Sequence, residues 1–530
     1  MINRRSFLKG SGIAVVGLTA INGFSEVFAR RVEKANRPNI LYIMSDDHAT
    51  NAISCYGGML KDIMPTPNID RIAQEGVRLN SCFVSNSICT PSRAVILTGK
   101  HSHNNGVYTL HHDFDRNQQN VAKLLQKGGY NTAMIGKWHL HTEPSGFDYY
   151  NVLPGQGKYH DPFFKEKGDT WVDHNEGGKQ YEGYCTDVVT DITLEWLENR
   201  KKDKPFFLMC HHKAPHGLWE YAKRHENLFD GVVIPEPESL QEDLSHRSEG
   251  SREYGRNMLN LAGRMNVTEK KKWPTGRLDT TKMDDSQKIK AAYQKYLKDY
   301  LRCIAAIDEN VGRMLKYLDD EGLADDTIVI YTSDQGMFLG EHSLYDKRWM
   351  FDESLKMPFV ARYPKEIKQA TVNDDMITNV DFAETFLDYA SLDIPKDMQG
   401  RSFRWNLAGK TPSNWPNDMY YRYWMQFEGS KVPAHYGIRT RRYKLIFYYG
   451  LPLLDKGNTA GWVTKPGWEF YDLKKDPHEL KNIYGQKKYA TKIKRLKKRL
   501  LNIKDRIGDG DEKYPKLMEL RAKHWDWTSN

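Results

Sequence analysis

The run Cys89-Thr90-Pro91-Ser92-Arg93, continued by Ala94 to Leu97 and closed by Thr98-Gly99, sets a sulfur nucleophile four residues before an arginine. Residues 80–85, with Cys82, Phe83 and Val84 at their centre, read as an arriving strand. Pro91 suits the first turn of a helix, where a missing N–H leaves nothing unpaired. That helix would run through Arg93 to Leu97 and end near Gly99. Position 89 then lies at a helix N-terminus, whose free N–H groups and positive dipole end favour an anion. Arg93 stands one turn on, placed to hydrogen-bond a group at position 89.

Two acidic pairs accompany this run. Ser45-Asp46-Asp47-His48 follows the apolar stretch 40–44, and Ser333-Asp334-Gln335-Gly336 follows 327–332. Side chains just past the carboxyl ends of strands in an open α/β sheet face the ligand crevice. Oxygen donors without an imidazole favour Ca²⁺, or Mg²⁺, over Zn²⁺.

The Cys-x-Pro-Ser-Arg core with its following Thr-Gly resembles the signature of the formylglycine-dependent sulfatases of the alkaline phosphatase-like superfamily. Gly136-Lys137-Trp138-His139, Ala214-Pro215-His216 and Asp346-Lys347-Arg348-Trp349 match further segments of that family, in its order. The resemblance spans about residues 39–357 and continues weakly through 469–473 and Asp476-Pro477. It implies that a formylglycine-generating enzyme converts Cys89 to formylglycine (3-oxoalanine), whose hydrated aldehyde is the nucleophile. It implies further that Asp46, Asp47, Asp334 and Gln335 hold calcium, Gln335 being one methylene longer than the commoner Asn. Lys137 and Lys347 would neutralise the sulfate oxygens, and Arg93 would orient the diol. His216 or Lys347 would protonate the departing alcohol, and His139 would act as the base that restores the aldehyde.

The implied reaction is hydrolysis of a sulfate monoester on a sulfated carbohydrate. The likeness is greatest to exported bacterial carbohydrate sulfatases, which points to a heparan-type glucosamine 6-sulfate. Phosphodiester and phosphonate monoester hydrolases of the same superfamily share the signature and the metal set, and form the alternative. Trp219, Tyr221, Tyr420, Tyr421, Tyr423 and Trp424 are candidates to stack on sugar rings. His435 and Arg439 are candidates to contact the sugar directly.

Elements must hold these residues in place. Apolar strands at 40–44, 132–135, 206–210, 327–332 and 358–363 alternate with helices at 67–75, 121–127, 188–200, 289–319 and 381–390. This alternation predicts an α/β fold, a large mostly parallel sheet sandwiched by helices. A polar stretch at 409–417 separates the expected catalytic domain, 37–408, from a smaller α+β subdomain, 418–530. The latter would hold an antiparallel sheet of segments 419–424, 436–439, 443–449 and 469–473, and an amphipathic helix at 489–503. The long, charged, turn-rich segment 231–288 reads as an insertion near the mouth of the site.

At 530 residues the chain can build two domains around a large core. Residues 3–9 carry Arg4-Arg5, 13–21 are apolar, and Val27-Phe28-Ala29 closes the run, the pattern of a twin-arginine signal peptide over 1–29. This predicts a periplasmic or secreted bacterial protein. No internal run is long enough to span a membrane, so no stable membrane anchor is expected. The formal charge of +9 falls to +7 when Arg4, Arg5, Lys9 and Glu26 leave with that segment. A mild positive balance suits an anionic polymer. The Lys- and Arg-rich run 487–504 reads as a solvated helix face rather than a nucleic-acid surface. Converting one of the six cysteines leaves an odd number, so at least one should remain unpaired.

Overall fold

The computed structural model describes residues 37–458 and 461–526; the signal peptide expected over 1–29 lies outside the described residues. Strand Asn39–Ser45 organises the large sheet. It pairs in parallel with Thr327–Ser333 on one side and Phe206–His211 on the other, and Asn131–Lys137 and Tyr149–Leu153 extend the parallel run. The full sheet has ten strands. Phe359–Arg362 joins antiparallel to Thr327–Ser333, and the short strands Val77–Leu79 and Thr371–Asn373 complete that edge. Phe163–Glu166 and Lys179–Gln180 complete the other.

The alternation of side chains along one strand produces the layers. Ile40, Tyr42 and Met44 enter a core with Ala94, Leu125 and Phe386. Leu41 and Ile43 enter a second core with Ile69, Val189 and Leu297. Successive strand residues point to opposite faces. Helices Cys89–Thr98, Val121–Lys127 and Phe382–Tyr389 therefore cover one face. Pro67–Gln74, Cys185–Asn199 and Asp285–Asp320 cover the other. A parallel sheet buried on both faces needs continuous apolar strands, as this one has. The longest helix starts at Asp285, earlier than its apolar period predicts, because Asp284 and Gln287 form a reciprocal cap: their side chains accept each other's backbone N–H at 2.9 and 3.0 Å.

Strands Asp418–Tyr423, His435–Thr440, Tyr443–Tyr448 and Gly467–Asp472 form a separate antiparallel sheet. Helix Ala490–Ile507 packs on one face of it. The other face sends Tyr421, Tyr423, Ile446 and Tyr448 into the core shared with the large sheet. The helix is not simply a solvated basic face: Lys497 lies over the Trp468 ring at 4.1 Å, and Lys504 reaches Asp511 at 3.0 Å. His103, Asn104 and Gln399 set side-chain nitrogens 2.9–3.0 Å from the Ile507 carbonyl. That carbonyl would otherwise be left unpaired at the helix end. All six cysteines are free.

Candidate active site

Parallel pairing brings the two acidic segments together. Ser45 lies opposite Ser333 in register, so Asp46-Asp47 and Asp334-Gln335 leave neighbouring strands side by side. The strand Asn131–Lys137 ends in the same crevice with Lys137 as its last residue. Gly136 allows this close approach: its φ is +93°, and a Cβ there would lie 2.0 Å from the His211 carbonyl oxygen. Helix Cys89–Thr98 points its N-terminus at the crevice, and Gly99 closes the other end in the left-handed conformation. All ten residues of this helix are buried.

Oxygen atoms of Asp46, Asp47 and Asp334 lie within 4.8 Å of one another. The Gln335 amide nitrogen donates to both Asp47 and Asp334, while its oxygen is buried with no hydrogen-bond partner. The Cys89 sulfur is 3.3 Å from Asp46 Oδ1. Arg93 donates Nε and Nη2 to Asp334 Oδ2 at 3.0 and 2.8 Å, and Nη1 to the Lys137 carbonyl at 2.6 Å. Lys137 pairs with Asp46 and Lys347 with Asp47, the latter at 2.5 Å. His216 Nε2 is 3.8 Å from Asp47 Oδ2, and its Nδ1 is 2.8 Å from the Gly217 carbonyl. His139 Nδ1 is 3.4 Å from the Thr90 hydroxyl.

The electrostatics call for added positive charge. Burial and the adjacent Asp46 carboxylate push Asp334 up to about 7 against the pull of Arg93. Asp46 is itself held well below the usual carboxylate range because Lys137, Arg93 and Lys347 outweigh its burial. Three crowded carboxylates and an unpartnered amide oxygen form an all-oxygen donor set of the type that takes a hard divalent cation. Burial, then Lys137, lowers both His139 and His216, so both rings favour the neutral form. Burial and Asp46 raise the Cys89 thiol, which makes it a poor thiolate nucleophile as it stands.

A pocket of ≈ 260 Å³ opens above these groups. Cys89, Asp47, His216 and Lys347 line its floor side, with Gln156, Trp219, Arg256, Arg264, Tyr345, Asp346 and Arg348 around them. Cys89, Arg93, Lys137, His139, His216, Lys347 and the four metal candidates are thus brought into one cluster. His435 and Arg439 are not. His435 is a fully buried ring against Trp349 and Tyr448, with its Nδ1 2.7 Å from the Pro433 carbonyl. Arg439 makes two bonds to Asp352, at 2.8 and 2.7 Å, with its guanidinium over Phe83.

Of the aromatic candidates only Trp219 lines the pocket. Tyr420, Tyr421, Tyr423 and Trp424 are buried in and around the small sheet, and Tyr221 stacks under Arg302. Motif reading did not reach Gln156, Arg256, Arg264 or Tyr345. Gln156 carries no sequence signal beyond its glycine-flanked loop, whereas Arg256 and Arg264 belong to the 231–288 segment expected near the mouth.

The sulfatase family model matches residues 38–392, and the model described as N-sulphoglucosamine sulphohydrolase, C-terminal, matches residues 340–506. An N-acetylglucosamine-6-O-sulfatase of Bacteroides thetaiotaomicron is 41% identical over 516 residues, covering 90% of this chain and 88% of its own. The human N-acetylglucosamine-6-sulfatase is 27% identical over 420 residues, covering 75% and 68%. A structure solved in complex with its substrate, D-glucosamine-2-N,6-O-disulfate, superposes with a TM-score of 0.81 at 40% identity, covering 90% of this chain and all of the other. The phosphonate monoester hydrolase of Silicibacter pomeroyi shares the fold, with a TM-score of 0.67 at 20% identity, covering 89% of this chain and 96% of its own. The family model spans well over half of the chain and agrees with the acidic cluster beside Cys89: this protein belongs to the sulfatase family.

Proposed function

We propose that this sulfatase removes the 6-O-sulfate from a glucosamine residue of a sulfated glycan. One observation carries the reading: Asp46, Asp47, Asp334 and Gln335 converge beside Cys89, and Cys89 and Asp47 line a pocket sized for about one sugar residue. The 41% identical N-acetylglucosamine-6-O-sulfatase and the neighbour solved with a glucosamine disulfate support the substrate class. Phosphonate ester hydrolysis is supported only by a shared fold at 20% identity.

The four metal candidates fit calcium, which when bound would supply charge to hold the sulfate oxygens and favour ionised oxygen nucleophiles. Formylglycine at position 89 would supply a hydrated aldehyde as nucleophile, where the thiol is held protonated. The chain's own groups do the rest. Lys137 and Lys347, buried and each paired to a carboxylate, present fixed positive charge to the sulfate oxygens. Arg93 locks Asp334 and the Lys137 carbonyl, which orients the nucleophile's surroundings. His216 keeps Nδ1–H on the Gly217 carbonyl and turns Nε2 to the floor; Lys347, or His216 once an anionic substrate has favoured its protonated form, delivers a proton to the leaving alcohol. His139, held neutral, is the base that accepts a proton from residue 89.

The N-terminal pattern supports twin-arginine export to the periplasm or beyond, with conversion of Cys89 by a formylglycine-generating enzyme before export. Among the described residues no helix is long and apolar enough to cross a membrane. The test begins with peptide mass spectrometry across Cys89 after co-expression with that enzyme. A peptide lighter by the difference between thiol and aldehyde, with calcium-dependent sulfate release from glucosamine 6-sulfate, is the expected result. An unmodified thiol with no sulfate release refutes it.

A further inference from the structure

The basic helix Ala490–Ile507 sends two sets of cations in two directions. Lys497 and Lys504 turn inward and are satisfied there by a ring and an aspartate. Lys492, Arg495, Arg499 and Arg506 instead recur at steps of three, four and seven residues, which aligns them along one stripe of the helix. That stripe is one wall of a groove. Three adjoining cavities of ≈ 500, ≈ 360 and ≈ 310 Å³ run end to end beside it. The first two share Arg401 and Arg506, and the second and third share Asn417 and Arg499. From Lys492 to Arg506 the helix rises about 21 Å.

The charges in this groove do not balance. Its acids are already taken: Asp418 pairs with Arg499, Asp397 with Lys100, and Asp381 accepts the Thr378 and Arg401 N–H groups at 2.8 and 2.9 Å. Lys396, Arg401, Lys492, Arg495 and Arg506 have no carboxylate within ion-pair distance among the described residues. Arg401 is nevertheless held in place, its guanidinium reaching the Asn414 carbonyl at 3.2 Å. Lys492 lies 5.1 Å over the Tyr443 ring, which is itself stacked on Phe470. Met376, Met398, Met419 and Ile503 give the deepest part an apolar floor. A cleft of one sign over low-dielectric walls focuses its field and concentrates a polyanion.

The kind of polyanion follows from what else the groove presents. Single-stranded nucleic acid needs free ring faces on which successive bases stack. Tyr420 is buried, Tyr443 is covered by Phe470, and Trp415 is half-buried with its indole N–H on the Met376 carbonyl. A narrow row of cations without such faces suits the sulfates of a glycan chain.

We propose that this groove docks a sulfated glycan chain apart from the pocket over Cys89, tethering the polymer while one of its sulfates is removed. The choice of ligand rests on the proposed function. Groove and pocket lie at opposite ends of helix Cys89–Thr98: Cys89 lines the pocket, and His101, just past the helix, lines the groove. The helix sets about 15 Å between them. A single sugar cannot reach both, so the groove acts on chains alone, by raising the effective concentration of sulfated units at the pocket.

Binding is read by fluorescence anisotropy on Cys89→Ala protein, with a labelled heparan sulfate octasaccharide as probe. Mature enzyme supplies kcat and KM for the octasaccharide and for N-acetylglucosamine 6-O-sulfate. Lys492→Gln, Arg495→Gln and Arg506→Gln combined should weaken octasaccharide binding about tenfold, the worth of three exposed ion pairs, and raise its KM to match. Turnover of the monosaccharide should not change, which also certifies that the variant is folded. Added salt should erase the difference in binding. The control removes equal charge from exposed positions off the stripe, Lys487→Gln, Lys494→Gln and Lys498→Gln, and should bind the octasaccharide as the parent does. Equal losses in the two variants, or none in the groove variant, overturn the proposal. A single-stranded oligonucleotide and phosphatidylglycerol vesicles complete the probes; binding of either as tight as the octasaccharide, and lost in the groove variant alike, overturns the assignment to a glycan. If the monosaccharide is not desulfated while groove-dependent octasaccharide binding persists, the reaction is misassigned and the groove stands. If it is desulfated and octasaccharide KM is indifferent to the groove, the reaction stands and the groove falls.

Discussion

Arg439→Met separates a structural arginine from a sugar-binding one. Arg439 is 6% exposed, and its guanidinium holds Asp352 through two bonds at 2.8 and 2.7 Å and packs on Phe83 at 4.4 Å. Removing one partner of a buried pair costs about 3–5 kcal/mol, since the other charge stays buried. Lys444 remains 2.8 Å from Asp352, and the Asp352 N–H still reaches Glu479 at 2.8 Å. The loss should therefore lie near the lower end, about 3 kcal/mol.

The pH dependence has a definite sign. Arg439, Lys444 and Lys356 hold the Asp352 carboxyl well below its ordinary value although burial opposes them. A carboxylate with a depressed folded pKa contributes stability that is complete above its unfolded pKa of about 3.9 and is lost as pH falls through the folded value. Urea midpoints of the two proteins should differ most near neutral pH and converge in acid. Sulfate-release kinetics at neutral pH should give an unchanged KM once the fraction folded is allowed for. A raised KM with an unshifted urea midpoint would refute the structural role.

Other perturbations test the site and its frame. Gly136→Ala sets a Cβ 2.0 Å from the His211 carbonyl at a φ of +93°; it should lower the unfolding midpoint by more than the 1–3 kcal/mol of local strain alone and abolish sulfate release by displacing Lys137. His216→Ala should slow release from a sugar sulfate by about 10²–10⁴ but from an aryl sulfate, whose phenolate leaves unaided, far less; equal losses on both would show that His216 gives no proton to the leaving group. Chelation should lower the melting temperature and calcium restore it, by about 2.7 kcal/mol at a hundredfold excess over Kd, and Gln335→Ala should shrink that calcium response. Burial lowers Lys497 to about 8, so stability should rise as pH increases from there toward 10.4, by at most about 3 kcal/mol; urea midpoints of Lys497→Met should be flat over that range.

The residues at strand ends were legible in the sequence because a buried parallel sheet leaves two signals: an unbroken apolar run, then an abrupt change to Asp, Lys or His. Asn39–Ser45 and Thr327–Ser333 show both. The short edge strands Val77–Leu79, Thr371–Asn373 and Lys179–Gln180 carry neither, being two or three residues long and fixed by pairing alone. His435 and Arg439 misled for a related reason. A polar residue inside a strand signals either a ligand or a buried partner, and only the tertiary position of Asp352, 87 residues away, decides between them. The basic helix is solvated along most of its charged face, with Lys487, Lys488, Lys494, Arg495 and Lys498 exposed, but Lys497 and Lys504 turn to aromatic rings and aspartates that linear charge counting cannot see. The outer arginines of the pocket lay in a segment whose location was foreseen but whose side-chain directions follow from the Asn257 cap and the Tyr345 pairing.

The burial of Cys89 turns folding into a deadline. The residue is 1% exposed, at the bottom of a narrow pocket and at the start of a wholly buried helix, so a modifying enzyme cannot engage the chain around its sulfur in the finished molecule. The acids that close over it are far down the chain, with Asp334 245 residues after Cys89. At about 5–20 residues per second, a ribosome takes roughly 12–50 s to cover that distance. During that interval the cysteine has emerged while its cover has not been made. The order in which the strands occur along the chain thus sets a window in which the thiol stays accessible, the window in which the proposed conversion would have to take place, and closes it once the last acidic strand is laid down.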